Sequence, residues 1–240
     1  MARSSSFRIV AALLMLCATA ARPPHSYVGV QALGIVGVHR DIAGSQYGIG
    51  AGPLIQGQIG WDRVNFNFEG IPVVSIPDTR PSVTYGQATP KLGIINYQAQ
   101  YALDRDATLW LGVGQTVYNQ RTPLPAESQS VSSRLSGVRY TMRWIHPTRG
   151  AHFVEANFGT APTLSGSDVY AYLNGNPPTV KPERASEVDA SFSLGYRKGS
   201  SVWLFGLRTL NFAARFVDTG AAADRNVGIG PLIEWRHLIP

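Results

Sequence analysis

Two sets of residues in this chain could do chemistry. The first set is acidic and basic: Glu69, Glu155, Glu187, Asp189 and Glu234, with Arg63, Arg139, Arg143, Arg197, Arg208 and Arg236. Each sits on the polar beat of a segment whose other beat is apolar. Gathered on the inside of a closed sheet, they would form a polar channel, a charged gate, or a ladder of ion pairs that lets a narrow barrel close around charge. The near-equal numbers of acids and bases favour the ladder, because a buried charge without a partner is strongly destabilising. The second set is the histidines with nearby hydroxyls and acids. His25, His146, His152 and His237 fall near the chain start or near short turns. Only His39 precedes a longer connection, with Arg40, Asp41 and Ser45 close by. A Ser/His or Asp/His pair there would suit hydrolysis of lipid or protein. The His-x-Ser spacing of a lipid deacylase is missing, and Asp41, Asp78, Asp168, Asp218 and Asp224 read as loop residues. His39 therefore reads as a strand-end residue, and no catalytic residue is assigned. No His-x-x-x-His and no carboxylate-rich loop point to a metal, and nothing points to a cofactor.

The elements that carry these residues are strands. In "EVDASFSLGYRKGSSVWLFGLR" (187–208), Val188, Ala190, Phe192, Leu194 and Tyr196 alternate with Glu187, Asp189, Ser191, Ser193 and Arg197. "KGSS" turns the chain, and Trp203, Phe205 and Leu207 resume the beat. The same period of two recurs in Val64, Phe66 and Phe68, in Ile95 to Leu103, in Val138 to Trp144, in Val154 to Phe158 and in Val227 to Trp235. About ten strands and no amphipathic helix result. Two features break the rhythm. Leu207 lies on one face while Leu210, Phe212 and Phe216 lie on the other, which predicts a β-bulge near Arg208 and Thr209. Pro53, Pro72 and Pro231 lie in strand-like sequence without a ladder donor and predict bulges or kinks.

Connections alternate in length. "GWDR", Asp104 to Asp106, Pro147 to Gly150 and Lys198 to Ser201 are short. Arg40 to Ser45, Pro77 to Pro90, Arg121 to Ser130, Ala161 to Ser186 and Val217 to Asp224 are longer. In an up-and-down meander this gathers short turns at one end and long loops at the other, the asymmetry of transmembrane barrels. The polar faces are rich in Gly, Ser, Thr, Asn and Gln, which suits a crowded lumen better than a solvated surface. The apolar faces carry Tyr101, Trp144, Tyr196, Trp203 and Trp235 near the short turns, where an interfacial aromatic girdle belongs. The expected fold is an all-β, antiparallel up-and-down transmembrane β-barrel with its apolar face outward. A soluble barrel binding an apolar ligand would show the opposite arrangement.

The chain has 240 residues, a net charge of +6 and one cysteine. Arg3 and Arg8, the apolar run Ile9 to Ala21 and Ala18-Thr19-Ala20 match a secretory signal cleaved after Ala20. This gives a signal peptide over 1–20 and a barrel over 21–240. Cys17 lies inside the signal behind Leu16, not behind the small residue that a lipid anchor wants. No later segment is a transmembrane helix. The positive charge suits anionic lipid and argues for no nucleic acid, since no basic stripe is studded with aromatics. Arg80, Arg121, Arg184, Arg215 and Arg225 lie near the loop end and could pair with lipopolysaccharide phosphates. The loop Ala161 to Ser186 could be a recognition loop or simply mobile.

These strands, turns and faces resemble Gram-negative outer-membrane β-barrels as a class, over Tyr27 to Pro240. The resemblance implies outer-membrane lipid and the barrel-assembly machinery as partners. The rhythm Val227, Ile229, Ile233, Trp235, Ile239 matches an assembly signal, although His237 and a final Pro240 depart from one. A thinner likeness is to the family of the MltA-interacting protein and OmpV. "GIGAGPLIQ" (48–56) followed by "VNFNFEG" (64–70) is similar to its opening hairpin, and "GIGPLIEW" (228–235) echoes the first stretch. That likeness implies an envelope scaffold near murein-processing enzymes, not a catalyst. The role expected is structural, scaffolding or binding, with narrow passive transport as a further option and hydrolysis at the loop end as an alternative.

Overall fold

The computed structural model describes residues 26–41, 44–75, 91–124, 129–171, 179–180, 184–215 and 224–239. The expected signal segment and Arg80 lie outside them. The strands in chain order are β1 (Ser26–Asp41), β2 (Gly44–Trp61), β3 (Val64–Ser75), β4 (Lys91–Ala102), β5 (Leu109–Leu124), β6 (Gln129–Pro147), β7 (His152–Ala161), β8 (Ser165–Ala171), β9 (Thr179–Val180), β10 (Arg184–Lys198), β11 (Ser201–Arg215) and β12 (Asp224–Ile239). Each neighbour pair is antiparallel, and β1 pairs with β12 to close the sheet. The wall is a closed antiparallel barrel of ten strands.

The two extra elements belong to one hairpin. Ala161 faces Glu187, and Asp168 faces Val180, so one register runs across the break. β8 therefore prolongs β7, and β9 leads into β10. The span Ala161 to Ser186, expected as an irregular loop, thus contains a continued β-hairpin. The first long connection is also tighter than expected: Asp41 pairs directly with Gly44.

The strands obey the period of two, and its sign is apolar outward. Phe192, Leu194, Phe205 and Leu207 are each more than half exposed, while Glu155 and Glu187 are 1% exposed. This inverts the pattern of a soluble ligand-binding barrel.

β11 contains no bulge. It keeps one register with β10 and with β12 from end to end. Leu210 and Phe212 instead point inward and are buried. The sequence switches from a polar to an apolar lumen at that height, and the backbone does not slip. The prolines act as expected at two of three places. Register shifts occur between Ala51 and Ile55, around Pro53, and between Ile71 and Val74, around Pro72. At Pro231 pairing with β1 lapses between Leu33–Leu232 and Val36–Ile229 but resumes in the same register. The two echoing Gly-Ile-Gly stretches flank β1 symmetrically, with Gly37 opposite both Gly48 and Gly228.

Candidate functional site in the barrel lumen

The inward positions of the ten strands converge on two ion-paired groups. In the first, Arg139 of β6 donates through Nη1 to both carboxylate oxygens of Glu187, at 2.9 and 2.7 Å. Its Nη2 donates to Asp189. Arg208 of β11 donates to the other Asp189 oxygen at 2.8 Å and also to Glu69 of β3 across the bore. Asn96 of β4 donates to Glu69 at 3.2 Å. This one group therefore ties five strands together: β3, β4, β6, β10 and β11.

The second group centres on Glu155 of β7. Arg143 Nη2 donates to it at 2.9 Å, and Arg236 reaches both of its oxygens at 2.8 Å. Asn157 adds a bond at 3.0 Å. Arg236 also pairs with Glu234, which accepts from Gln56 as well, and Arg143 Nη1 donates to Gln58 at 2.8 Å. The Arg236 guanidinium lies 4.8 Å over the Tyr27 ring. Planar two-pronged arginine–carboxylate pairing fixes orientation as well as charge.

Nine of the ten residues expected in a lumen network are thus brought together: Glu69, Arg139, Arg143, Glu155, Glu187, Asp189, Arg208, Glu234 and Arg236. Arg197 is not. It is exposed at the turn after β10, where its Nε donates to Gly199 O at 3.3 Å. Arg63 also stays at the turn end, bonded to Ala102 O at 2.7 Å and stacked 4.9 Å over Tyr101. Arg197 keeps the inward phase of β10 and Arg63 lies in the turn before β3, and both are past the last layer of the bore.

A cavity of about 70 Å³ remains between the two groups, lined by Glu69, Arg139, Asp189, Glu155, Glu234 and Arg236 among others. It has room for a few water molecules. Gln31 Nε2 and the Nε atoms of Arg139, Arg143 and Arg208 have no protein partner, so the chamber is polar. Glycine makes part of this space. A Cβ on Gly159 would collide with the Arg139 guanidinium and the Asp189 carboxylate.

Two apolar clusters fill the rest of the bore. Toward the loops, Leu33, Leu54, Ile71, Leu92, Ile94, Tyr118, Leu135, Leu164, Leu210 and Phe212 form one buried cluster with several alanines. At its heart the Tyr118 and Phe212 rings stack with centroids 3.7 Å apart and planes 6° from parallel. Beside the second group, Val202, Leu204 and Leu232 pack with Phe153 and Leu238, and Val202 and Leu204 stand opposite Arg236 and Glu234. The sequence reading missed the loop-end cluster, although its signal was present: Tyr118 and Phe212 are aromatic residues on the inward beat.

The aromatics expected at an interface lie together at the turn end. Tyr101, Trp144, Tyr196 and Trp203 are outward and exposed, and half-buried Trp235 pairs directly with Trp203. His146, His152 and His237 are exposed beside Trp144, Tyr196 and Trp235. His39 stands on β1 between Gln46 and Asn226 by backbone register. Among the described residues no three His, Cys, Asp or Glu side chains group as metal ligands. Of the five loop-end arginines, Arg121 and Arg184 are exposed on the wall, and Arg215 and Arg225 take strand positions described by backbone alone.

No protein-family model matches the chain, and no curated protein matches it in sequence. Its structure is similar to that of the outer membrane protease OmpT from Escherichia coli, at 10% identity over 93% of this chain and 100% of that one, with a TM-score of 0.54. It is also similar to Neisserial surface protein A, at 8% identity over 89% and 97% of the two chains, with a TM-score of 0.46. The beta domain of the Bordetella autotransporter BrkA follows, at 13% identity over 90% and 99%, with a TM-score of 0.44. At 10% identity the likeness to OmpT bears on fold and carries no chemistry. The fold is that of a Gram-negative outer-membrane β-barrel.

Proposed function

We propose that this chain resides in the bacterial outer membrane as a sealed, non-catalytic barrel. Its wall is an anchor, and its role is structural or scaffolding. The observation that carries the reading is the filling of the bore at successive heights: an apolar cluster toward the loops, then an ion-paired group, then a second ion-paired group with an apolar cluster beside it. A pathway for solute would need all of them to part. The outward face supplies the membrane argument. From Trp203 to Arg215 the strand climbs about 30 Å along the barrel axis, at ~3.3 Å per residue and a tilt near 40°. That distance is enough to cross the hydrocarbon core of a bilayer, and its turn-end border carries the aromatic girdle of Tyr101, Trp144, Tyr196, Trp203 and Trp235. The barrel-assembly machinery is the partner that such a strand pattern requires. An envelope enzyme is the kind of partner that such a scaffold would hold.

Two measurements test the reading. Purified protein refolded in lipid migrates differently on gels before and after boiling. In planar bilayers it gives no stepwise conductance. Steady single-channel openings from the wild-type protein would overturn the sealed barrel, and partition into the aqueous phase without detergent would overturn the membrane assignment.

A further inference from the structure

The charges on the outward wall are segregated. Among the described residues, every carboxylate whose side chain is placed lies in the lumen or in a short turn: Glu69, Glu155, Glu187, Asp189 and Glu234 in the first, Asp62, Asp104 and Asp106 in the second. The outward wall beyond the apolar band carries cations instead. Lys91 of β4 and Arg121 of β5 are both exposed and directly opposite each other. Arg134 of β6 is also exposed. Asn119 faces Arg134 and Arg121 faces Ser132, so Arg121 and Arg134 are diagonal neighbours, within reach of long side chains. The remaining cross-strand neighbours of this triad are Ser75 and Ser167. Like charges opposed across a ladder are destabilising by themselves, and here no acid whose side chain is placed relieves them.

On the far side of the barrel the backbone register repeats the arrangement. Arg184 is opposite Arg215, and Arg225 is opposite Arg40. Lys91 and Arg134 were not among the loop-end cations picked out from sequence alone; cross-strand register is what joins them to Arg121.

We infer that Lys91, Arg121 and Arg134 form a binding site for the phosphorylated headgroup of an outer-leaflet glycolipid, whose acyl chains lie along the apolar wall below. The site sits on the lipid-facing side, at the border of the apolar band, where a headgroup phosphate and not a soluble anion is held at high local concentration. A planar arginine fork flanked by a lysine on one strand and a second arginine on the other suits several phosphate oxygens at once. The inference rests on the membrane reading above.

The test uses the full barrel in phosphatidylcholine nanodiscs, with lipopolysaccharide or the same lipid stripped of its phosphates added at increasing fractions. Wild-type protein binds the phosphorylated form and not the stripped form. The triple variant Lys91→Glu, Arg121→Glu, Arg134→Glu loses roughly 100-fold in affinity, on the scale of one headgroup contact per cation. The neutral triple variant with glutamine at the three positions falls between. Boiling-dependent gel migration is followed in every sample. Variants that keep the gel shift but bind the lipid as wild type does overturn the inference, as does equal binding of the stripped lipid. Equal occupancy by inorganic phosphate alone overturns the lipid assignment. A wild-type protein that fails to enter the discs overturns the membrane reading itself, and this site with it.

Discussion

The middle of the bore and its loop end both block the barrel, and they do so by opposite physics. In the middle, Glu155 is 1% exposed and takes hydrogen bonds from Arg143, Arg236 and Asn157. Its stability depends on every partner being present. At the loop end, Tyr118 and Phe212 stack among leucines and isoleucines and lose only contact area when one member shrinks. A charged layer is brittle, because removing the Glu155 carboxylate leaves the Arg143 guanidinium with no carboxylate and Arg236 with Glu234 alone. An apolar layer is compliant. The largest effect should therefore come from the middle. Glu155→Ala is expected to destabilise the barrel by about 5 kcal/mol, the upper range for breaking a buried charged pair. Urea unfolding of lipid-refolded protein measures it. The quadruple change Glu155→Leu, Arg143→Met, Arg236→Met, Glu234→Gln, which removes every charge of the group, should restore most of that loss. If the quadruple variant is as unstable as the single one, stranded charge is not the cause.

At the loop end Phe212→Ala should cost about 3 kcal/mol in the same assay, the lower range for an aromatic deletion, because the neighbouring side chains can close in. The two layers are seals in series. Tyr118→Ala with Phe212→Ala should weaken the barrel and still give no conductance, since the ion-paired layer below remains closed. Conductance should arise only when this double change is combined with loss of both ion-paired groups and of the Val202, Leu204 and Leu232 cluster. Channel openings in the double variant alone would show that the charged layer does not seal.

The contrast also explains what could be read from the sequence. The acids and arginines of the middle were legible because each stands on the polar beat between clear apolar residues, as Glu187 and Asp189 do between Val188 and Ala190. The facing of the wall was legible from the small polar residues opposite Tyr and Trp. The loop-end plug was not, because a period-two argument assigns one chemistry per face. Leu210 and Phe212 obey the strand's geometry but carry the other face's chemistry, and a bulge was the natural misreading. Arg197 and Arg63 failed for a related reason. Alternation fixes the side of the wall on which a residue lies, whereas its height depends on where the turn falls. Pairings across the bore, such as Arg208 with Glu69 or Arg236 with Glu155, depend on closure of the sheet and leave no trace in local sequence.

A third change probes how tightly the middle layer is built. Gly159 leaves the space into which the Arg139 guanidinium and Asp189 carboxylate fit. Gly159→Ala should cost about 1–3 kcal/mol, the usual range for overpacking a well-filled interior. Its cost should fall sharply in an Arg139→Met background, where no guanidinium contests the methyl group. Equal costs in both backgrounds would assign the effect to the strand backbone and not to the ion-paired group.

The smallest expected effect lies outside both layers, in the turn after β4, and it sharpens the contrast by involving a charge that water already solvates. Asp104 accepts hydrogen bonds from Leu109 N at 2.8 Å, from Thr108 Oγ1 at 2.7 Å and from Thr108 N at 2.9 Å. The Leu109 amide is the leading cause, with Thr108 next, and together they hold the carboxyl down to about 2. A depressed carboxyl stabilises the fold above its unfolded-state value, near 3.9, and that contribution is lost as pH falls through about 2. Asp104→Asn should therefore lower thermal stability slightly at pH 7. The gap between variant and wild type should close as the pH is lowered from about 4 to about 2. Thermal unfolding at those two pH values and at neutrality reads the trend. A gap that stays constant down to pH 2 would mean that the turn depends on side-chain shape alone and gains nothing from the ionised oxygens.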